Sequence, residues 1–110
     1  MKSTLKKFTS KTILEYIILS TINTFPDPVK QIAERLENFE MRLPMGTLYP
    51  IIRSLYTRGL IHQGYEEMDQ GTPRKTYSIS QKGLTRLSDL TYDWNKINHI
   101  IELANRNELQ

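Results

Sequence analysis

Hydroxyl and basic side chains recur in the middle of the chain in a pattern suited to binding an anion. Thr47, Tyr49 and Arg53 share one segment of helical periodicity, and Arg74 and Lys75 lie in a later segment. Hydroxyl and guanidinium groups can contact phosphates and base edges, and the free N–H groups at a helix amino terminus favour an anion. These residue types are therefore compatible with contact to a phosphate or to a base edge.

Each of these side chains also has a purely structural interpretation. Tyr49 could be a half-buried packing residue, and Arg53 could pair with Glu40 of a neighbouring helix. Arg74 and Lys75 have no acid close to them in the sequence, so their alternative is solubilising charge on an exposed hairpin. The residue types alone leave these alternatives open.

The distribution of charge says more than its total. The 110 residues carry 15 Lys and Arg against 12 Asp and Glu, a net charge of +3 that only mildly suggests an anionic partner. Two stretches, from Met41 to Tyr65 and from Gln70 to Ser88, contain basic residues and no acids. A folded domain could gather this charge on one face. The basic residues of the two stretches are Arg42, Arg53, Arg58, Arg74, Lys75, Lys82 and Arg86.

Enzymatic chemistry finds little support in the sequence. There is no cysteine, and His62 and His99 lack the spacing of metal ligands. The acids around Glu66 and Glu67 belong to a predicted hairpin, where no pocket is expected. We therefore expect no catalytic residue, no metal site and no cofactor.

A membrane location is not expected either. The longest apolar stretch, from Ile13 to Leu19, contains Glu15 and is far shorter than the roughly 20 residues that span a bilayer. The basic amino terminus lacks the apolar run of a signal peptide. We expect a cytoplasmic protein.

Apolar periodicity predicts three short helices, then a hairpin and a long helix. Asp27 is expected to cap the second helix with Pro28 at its first position, Gly59 to end the third, and Ser80 to cap the last. Pro50 leaves the start of the third helix open on either side of Gly46. The predicted helices are Lys11 to Asn23, Pro28 to Asn38, Met45 to Arg58 and Gln81 to Asn107, and the predicted strands are Leu60 to Met68 and Lys75 to Ser80.

This order of elements is the winged helix-turn-helix arrangement, which presents its third helix to the DNA major groove and its hairpin to the flanking backbone. The predicted fold class is mainly α with a small β-hairpin. Residues 1–80 form the winged helix-turn-helix and residues 81–110 a carboxy-terminal dimerisation helix, within one compact domain.

The last helix carries the alternating three-and-four spacing of a coiled-coil seam, which favours a partner helix. We expect a homodimer, with part of the seam folded back on the first helix. The predicted interface residues are Ile13, Ile17, Leu87, Leu90, Trp94, Ile97 and Ile101.

Three motifs in order resemble the PadR family of bacterial transcriptional regulators. They are the Gly-Thr-Leu-Tyr-Pro segment from Gly46 to Pro50, the Gly-Leu-Ile segment from Gly59, and the Pro-Arg-Lys segment from Pro73. The sequence departs from the family pattern at three places: Pro44-Met45 replaces a common Ser-Pro, Val29-Lys30 replaces a Gly-Tyr pair, and Thr72 replaces a common arginine.

The resemblance implies a sequence-specific DNA-binding regulator, a repressor that binds a palindromic operator as a homodimer. The single long helix after the wing is similar to that of the short subfamily. A small aromatic effector bound at Trp94 is also implied, although Trp94 could be an interface residue without a ligand. The alternative function is a winged-helix protein-interaction module that does not bind DNA. The implied DNA contacts are Lys30, Thr47, Tyr49, Pro50, Arg53, Arg74 and Lys75.

Overall fold

The computed structural model describes residues 8–109 and confirms the predicted fold class. The basic amino terminus, with Lys2, Lys6 and Lys7, lies outside the described residues. Helices surround a small antiparallel sheet, and a long helix follows it. The elements are α1 (Ser10–Thr21), β1 (Asp27–Pro28), α2 (Val29–Asn38), α3 (Met45–Thr57), β2 (Ile61–Glu66), β3 (Arg74–Ile79) and α4 (Gln81–Leu109).

The sheet has three strands in the order β1-β3-β2, so the expectation of a two-stranded hairpin was incomplete. Asp27 pairs with Tyr77 and Pro28 with Thr76, both antiparallel. A proline is tolerated here because β1 is an edge strand, where its missing N–H costs no ladder hydrogen bond. This pairing places the start of α2 beside the hairpin.

The predicted cap of α2 was wrong. Pro28, and not Asp27, precedes the first helical residue, and no side chain caps the helix. The Asp27 carboxylate instead accepts hydrogen bonds from Arg35 Nη2 at 2.7 Å and Asn23 Nδ2 at 3.2 Å. Asp27 therefore holds the connection between α1 and α2 in place.

Helix α3 begins before Gly46, at Met45. The backbone N–H groups of Thr47 and Leu48 donate to the Pro44 carbonyl oxygen, and no side chain caps the helix. Gly59 follows its carboxyl end with a φ of +75°, the left-handed conformation expected of it. Pro50 lies inside the helix and cannot donate to the carbonyl oxygen of Gly46.

The core fills the space between α1, α2, α3 and the sheet. Its fully buried side chains are large and aliphatic, so burial of apolar area is the main stabilising contribution. Ile13 and Ile17 of α1, which were predicted as interface residues, are half-buried within the protomer. The largest fully buried side chains are Ile18, Leu19, Ile32, Leu36, Leu48, Ile52, Leu55, Ile61 and Leu90.

The interior also contains one acid that the apolar pattern did not predict to be buried. Glu15 of α1 is only 7% exposed, and its Oε1 lies 2.7 Å from Arg58 Nη1 at the end of α3. Its Oε2 lies 3.7 Å from Arg86 Nη2 of α4. Oε1 makes no hydrogen bond, so the Arg58 contact is an ion pair without hydrogen-bond geometry. Glu15 thus connects three helices.

The long helix α4 is fixed to the sheet at its amino end. The Ser80 hydroxyl accepts a hydrogen bond from the Gly83 N–H at 3.0 Å and donates to the Gly59 carbonyl oxygen at 2.6 Å, which confirms the predicted cap. At about 1.5 Å per residue, its 29 residues extend over about 43 Å. Across residues 8–109, none of the helices combines the length and apolarity needed to cross a bilayer.

Candidate nucleic-acid interface

Two adjoining cavities lie between α2, α3 and the hairpin. The larger, which we call the wing cleft, has a volume of about 500 Å³. The smaller has a volume of about 240 Å³ and lies against the start of α2. The wing cleft is lined by Tyr49, Pro50, Ile52, Arg53, Tyr56, Thr57, Gln63, Lys75 and Tyr77. The smaller cavity is lined by Pro28, Val29, Lys30, Tyr49, Arg74, Lys75 and Tyr77.

The predicted DNA contacts are therefore brought together by the fold. Tyr49 and Lys75 line both cavities, Pro50 and Arg53 line the wing cleft, and Lys30 joins them across β1. Arg74 lines the smaller cavity. Residues from separate parts of the sequence thus form one surface.

Thr47 lines neither cavity but lies on the exposed first turn of α3. Because no side chain caps this helix, the N–H groups of its first two residues and the positive end of its dipole stay available to an anion. Thr47 and the helix end can therefore contact a phosphate next to the cavities.

Ion pairing separates the basic residues into two groups. Arg42 pairs with Glu37, and Arg58 and Arg86 pair with Glu15. By contrast, within residues 8–109 no ion pair involves three of the four cations that line the cavities, Lys30, Arg53 and Lys75. The charges of these three residues are therefore available to an external partner at this surface.

Arg74 has an acidic partner that its sequence neighbourhood did not reveal. Its Nη2 and Nε lie 2.7 and 3.2 Å from Glu66 Oε2, because Glu66 faces Arg74 across the hairpin. Both side chains are partly exposed, so this pair contributes little to stability. A phosphate would have to compete with Glu66 for Arg74.

The structure does not support the purely structural interpretations of Tyr49 as a packing residue and of Arg53 as the ion-pair partner of Glu40. Tyr49 is 53% exposed rather than packed inside. Arg53 is exposed and forms no ion pair with Glu40 or with any other acid in the described part of the chain. Both side chains are free to meet a partner.

Tyr77 forms an inner wall of both cavities and is only 6% exposed. Burial raises the pKa of Tyr77 above its ordinary value, and the neighbouring tyrosines, led by Tyr49, raise it further while Arg53 opposes them. Its hydroxyl donates to Gln63 Oε1 at 3.2 Å. Tyr77 therefore stays neutral at physiological pH and holds Gln63 in position.

Five residues that line the wing cleft were not predicted as site residues: Ile52, Tyr56, Thr57, Gln63 and Tyr77. Tyr56 is exposed on α3, three residues after Arg53, and this helical spacing was the available signal. For Gln63 and Tyr77 the decisive information is the strand register, in which they face each other across the hairpin.

Comparison with known protein families identifies the family of this chain. Residues 18–89 match the family described as Transcriptional regulator PadR-like family. The chain belongs to this family. The matched residues contain α2, α3 and the hairpin, and so every residue of the two cavities. Its members are transcriptional regulators, which agrees with the prediction that the chain is not an enzyme.

Similar proteins place this PadR-like chain among short regulators. An uncharacterized protein of Lysinibacillus sphaericus is 30% identical over 74 residues, which are 67% of each chain. A PadR-like transcription factor from Bacteroides fragilis has a TM-score of 0.80 at 29% identity and covers 92% of this chain and 98% of its own. Bacillus subtilis PadR, solved with operator DNA, has a TM-score of 0.62 at 19% identity over 70% of this chain and 46% of its own.

The residues of the predicted coiled-coil seam differ in burial along α4 of the PadR-like chain. Leu90 is buried within the protomer and Leu87 packs against the core, so the first part of the seam is folded back. Further along, Ile101 is 51% exposed, and Ile100 and Leu103 are also exposed. A group of exposed aliphatic side chains is therefore found on the distal half of α4.

Trp94 lies between these two halves and is 37% exposed. Its ring centroid is 5.6 Å from that of Phe8, which in turn lies 6.4 Å edge-on from the ring of Tyr16. The Tyr16 hydroxyl donates to Thr91 Oγ1 at 2.8 Å. One side of Trp94 is thus packed by its own protomer and part of it remains open.

Proposed function

We propose that the chain is a sequence-specific DNA-binding transcriptional regulator that contacts DNA through α3 and the hairpin. The observation that carries this proposal is the concentration of unpaired cations, Lys30, Arg53 and Lys75, around Tyr49. A surface with this charge and with exposed hydroxyls matches the needs of phosphate and base contacts. The Bacillus subtilis relative solved with operator DNA supports the same assignment.

In this proposal α3 enters the major groove with its amino end first. Thr47, Tyr49 and Arg53 then reach base edges or the adjacent phosphates, and Pro50 packs beside them. Lys75 and Arg74 of the hairpin hold the flanking backbone, and Lys30 contacts a phosphate from the start of α2. Lys30 acts by charge, since it has no directed hydroxyl.

The operator complex is proposed to be a homodimer. Ile97 and Ile101 form the centre of its interface, extended by Trp94 and flanked by Ile13, Ile17, Leu87 and Leu90. The exposed apolar side chains of distal α4 support this arrangement, because a monomer would leave them in water. Two-fold symmetry places two α3 helices on half-sites about 34 Å apart, which requires a palindromic operator.

Residues 1–80 then bind DNA and residues 81–110 hold the dimer together. We further propose that the chain acts as a cytoplasmic repressor. A small aromatic effector that binds at Trp94, in the dimer interface, would release it from DNA. The partly open ring of Trp94 beside Phe8 supports this site. Saturable quenching of Trp94 fluorescence by planar aromatic compounds tests it, and a linear, unsaturable response would contradict it.

DNA binding can be tested by fluorescence anisotropy with duplexes from the region around the protein's own gene and with shuffled duplexes of equal length. The unmodified chain should prefer one duplex from its own region. Arg53→Ala and Tyr49→Ala should each weaken that complex by roughly 1 to 3 kcal/mol if they read bases, whereas Lys75→Ala should weaken all duplexes more evenly.

Lys96→Ala is the matched control, because Lys96 is an exposed cation of α4 away from the two cavities. It should leave affinity unchanged. Equal binding to every duplex, with no effect of Arg53→Ala, would contradict the proposal and favour a winged-helix module for protein interaction.

The dimer can be tested by sedimentation of Ile101→Asp. Ile101 is exposed on α4, so a charge there should leave the protomer folded and shift the protein from dimer to monomer. Asn95→Asp is the control, since Asn95 lies on α4 outside the heptad seam. A dimer that persists in Ile101→Asp would place the interface elsewhere.

A further inference from the structure

The wing cleft has the dimensions and lining of a small-molecule site. Its volume of about 500 Å³ is within the roughly 300 to 1,000 Å³ typical of ligand pockets. The phenol rings of Tyr49, Tyr56 and Tyr77 and the side chain of Ile52 supply apolar walls. Only a few polar groups converge on it, which is the usual composition of a site that binds an organic molecule.

The charge of the cleft selects the class of molecule. Arg53 and Lys75 line it, no acid does, and neither cation has an ion-pair partner among the described residues. Aromatic faces and a guanidinium group both accept a flat ring, while the two cations require a negative charge. The complementary ligand is therefore planar, aromatic and anionic.

One polar group inside the cleft can orient such a ligand. Gln63 Oε1 accepts the Tyr77 hydroxyl, whereas within residues 8–109 no hydrogen bond involves Gln63 Nε2. This amide group is half-buried beside the rings. Its N–H groups can donate to a carboxylate that also meets Arg53 or Lys75.

We propose that the wing cleft binds a planar aromatic anion and that this ligand competes directly with DNA. The competition follows because Tyr49, Arg53 and Lys75 belong to both surfaces, and it rests on the proposed function. Competition at a shared surface requires no conformational change, whereas an effector bound in the dimer interface at Trp94 would have to act on the DNA contacts from a distance. The binding site itself does not depend on DNA binding.

The probe for this site is 2-naphthoate, titrated into the full-length isotope-labelled protein and followed by amide chemical shifts. With about 13 heavy atoms and ordinary ligand efficiency, it should bind with a Kd on the order of 1 mM. The largest shifts should fall on Thr57, Gln63 and Lys75. Shifts confined to α4 would overturn the proposal.

Two further probes separate the required features of the ligand. The amide analogue 2-naphthamide keeps the rings and loses the charge, so it should bind about tenfold more weakly, the loss of one charge-assisted hydrogen bond. Cyclohexanecarboxylate keeps the charge and loses the planar ring, and it should also bind much more weakly. Equal affinity for all three compounds would contradict the stated chemistry.

Tyr56→Ala tests the place of binding, because Tyr56 lines the cleft and is not among the proposed DNA contacts. It should weaken 2-naphthoate about tenfold or more, since an aromatic platform is lost. Tyr92→Ala removes an exposed tyrosine of α4 and is the control. The same spectra report whether each variant is folded, and Gln63→Ala provides a second variant of the cleft. Unchanged binding in both cleft variants would refute the site.

The competition has its own readout. Raising 2-naphthoate to ten times its Kd should raise the apparent Kd of the dimer for operator DNA about 100-fold, because exclusive binding requires both clefts to be free of ligand. Binding at the cleft with unchanged DNA affinity would refute the competition. Binding at the cleft by a chain that fails to bind DNA would refute the proposed function and leave the ligand site intact.

Discussion

Gly83→Ala is expected to disturb the junction that fixes α4 to the winged helix. Gly83 lies in the first turn of α4, directly over the backbone of Leu60. A Cβ atom at this position would lie 2.0 Å from the Leu60 carbonyl oxygen and 2.8 Å from Ile79 Cγ1. The first neighbour is backbone, which cannot rotate away. An alanine therefore requires α4 or the residues before β2 to move.

The size of the effect follows from this geometry. A separation of at least 3.0 Å requires a retreat of about 1.0 Å. That movement acts on the hydrogen bond from Ser80 N–H to the Leu60 carbonyl oxygen, now 3.1 Å, and on the Ser80 cap of α4. Overpacking costs roughly 1 to 3 kcal/mol and weakened hydrogen bonds add to it, against a gain of about 1 kcal/mol in helix propensity. We expect a net loss of about 2 kcal/mol.

Urea unfolding followed by circular dichroism, at one fixed protomer concentration, measures this loss. Gly46→Ala is the matched control, because it is also a helical glycine and its added Cβ would have no neighbour within 4 Å. It should be neutral or stabilising by up to about 1 kcal/mol. The reasoning would be refuted if Gly83→Ala were as stable as the unmodified chain.

Two further predictions follow from buried groups. Glu15→Gln should lower the free energy of unfolding by about 1 to 2 kcal/mol, a value that is discounted because the paired arginines are partly exposed. Glu34→Gln, at an exposed position, is the control and should have almost no effect. Equal stabilities of the two variants would contradict the role of Glu15. The pKa of Tyr77 is raised in the folded state, so the neutral phenol contributes to the free energy of unfolding. This contribution is fully present below the ordinary tyrosine pKa of about 10 and is lost as the pH rises through the pKa of Tyr77 in the folded protein. Tyr77→Phe should therefore lose stability less steeply than the unmodified chain in alkaline urea titrations, and parallel curves would count against this.

Local signals predicted the elements that position the recognition surface. Apolar spacing together with Gly59 placed the end of α3 within one residue, and the hydroxyl of Ser80 marked the start of α4. Both depend on interactions between residues close in sequence, so the pattern of residue types is sufficient to predict them.

The strand β1 could not be predicted in the same way. Two residues, Asp27 and Pro28, are too few to show a period, and their pairing partners lie about fifty residues further along the chain. That pairing is also what brings Lys30 to the hairpin. Part of the candidate surface therefore depends on a contact that has no local signal.

The sequence did not predict which of the basic residues form ion pairs. The basic stretches of the sequence look uniformly available, yet Arg58 pairs with Glu15 of α1 and Arg74 with Glu66 across the hairpin. Only the folded arrangement shows that Arg53 and Lys75 keep their charge free of such partners. The fold thus narrows a broad basic region to a few side chains.

The most direct test of DNA binding through this surface is the salt dependence of affinity for the operator duplex. Lys30, Arg53 and Lys75 give six phosphate contacts in a dimer, so the log–log slope should be about −5. Arg74 is not counted, because Glu66 already compensates its charge. The double variant Arg53→Ala/Lys75→Ala should reduce it to about −2. Lys96→Ala/Arg106→Ala, with two exposed cations of α4, should keep the original slope. A slope that is unchanged in the first variant, or reduced equally in both, would contradict the assignment of this surface.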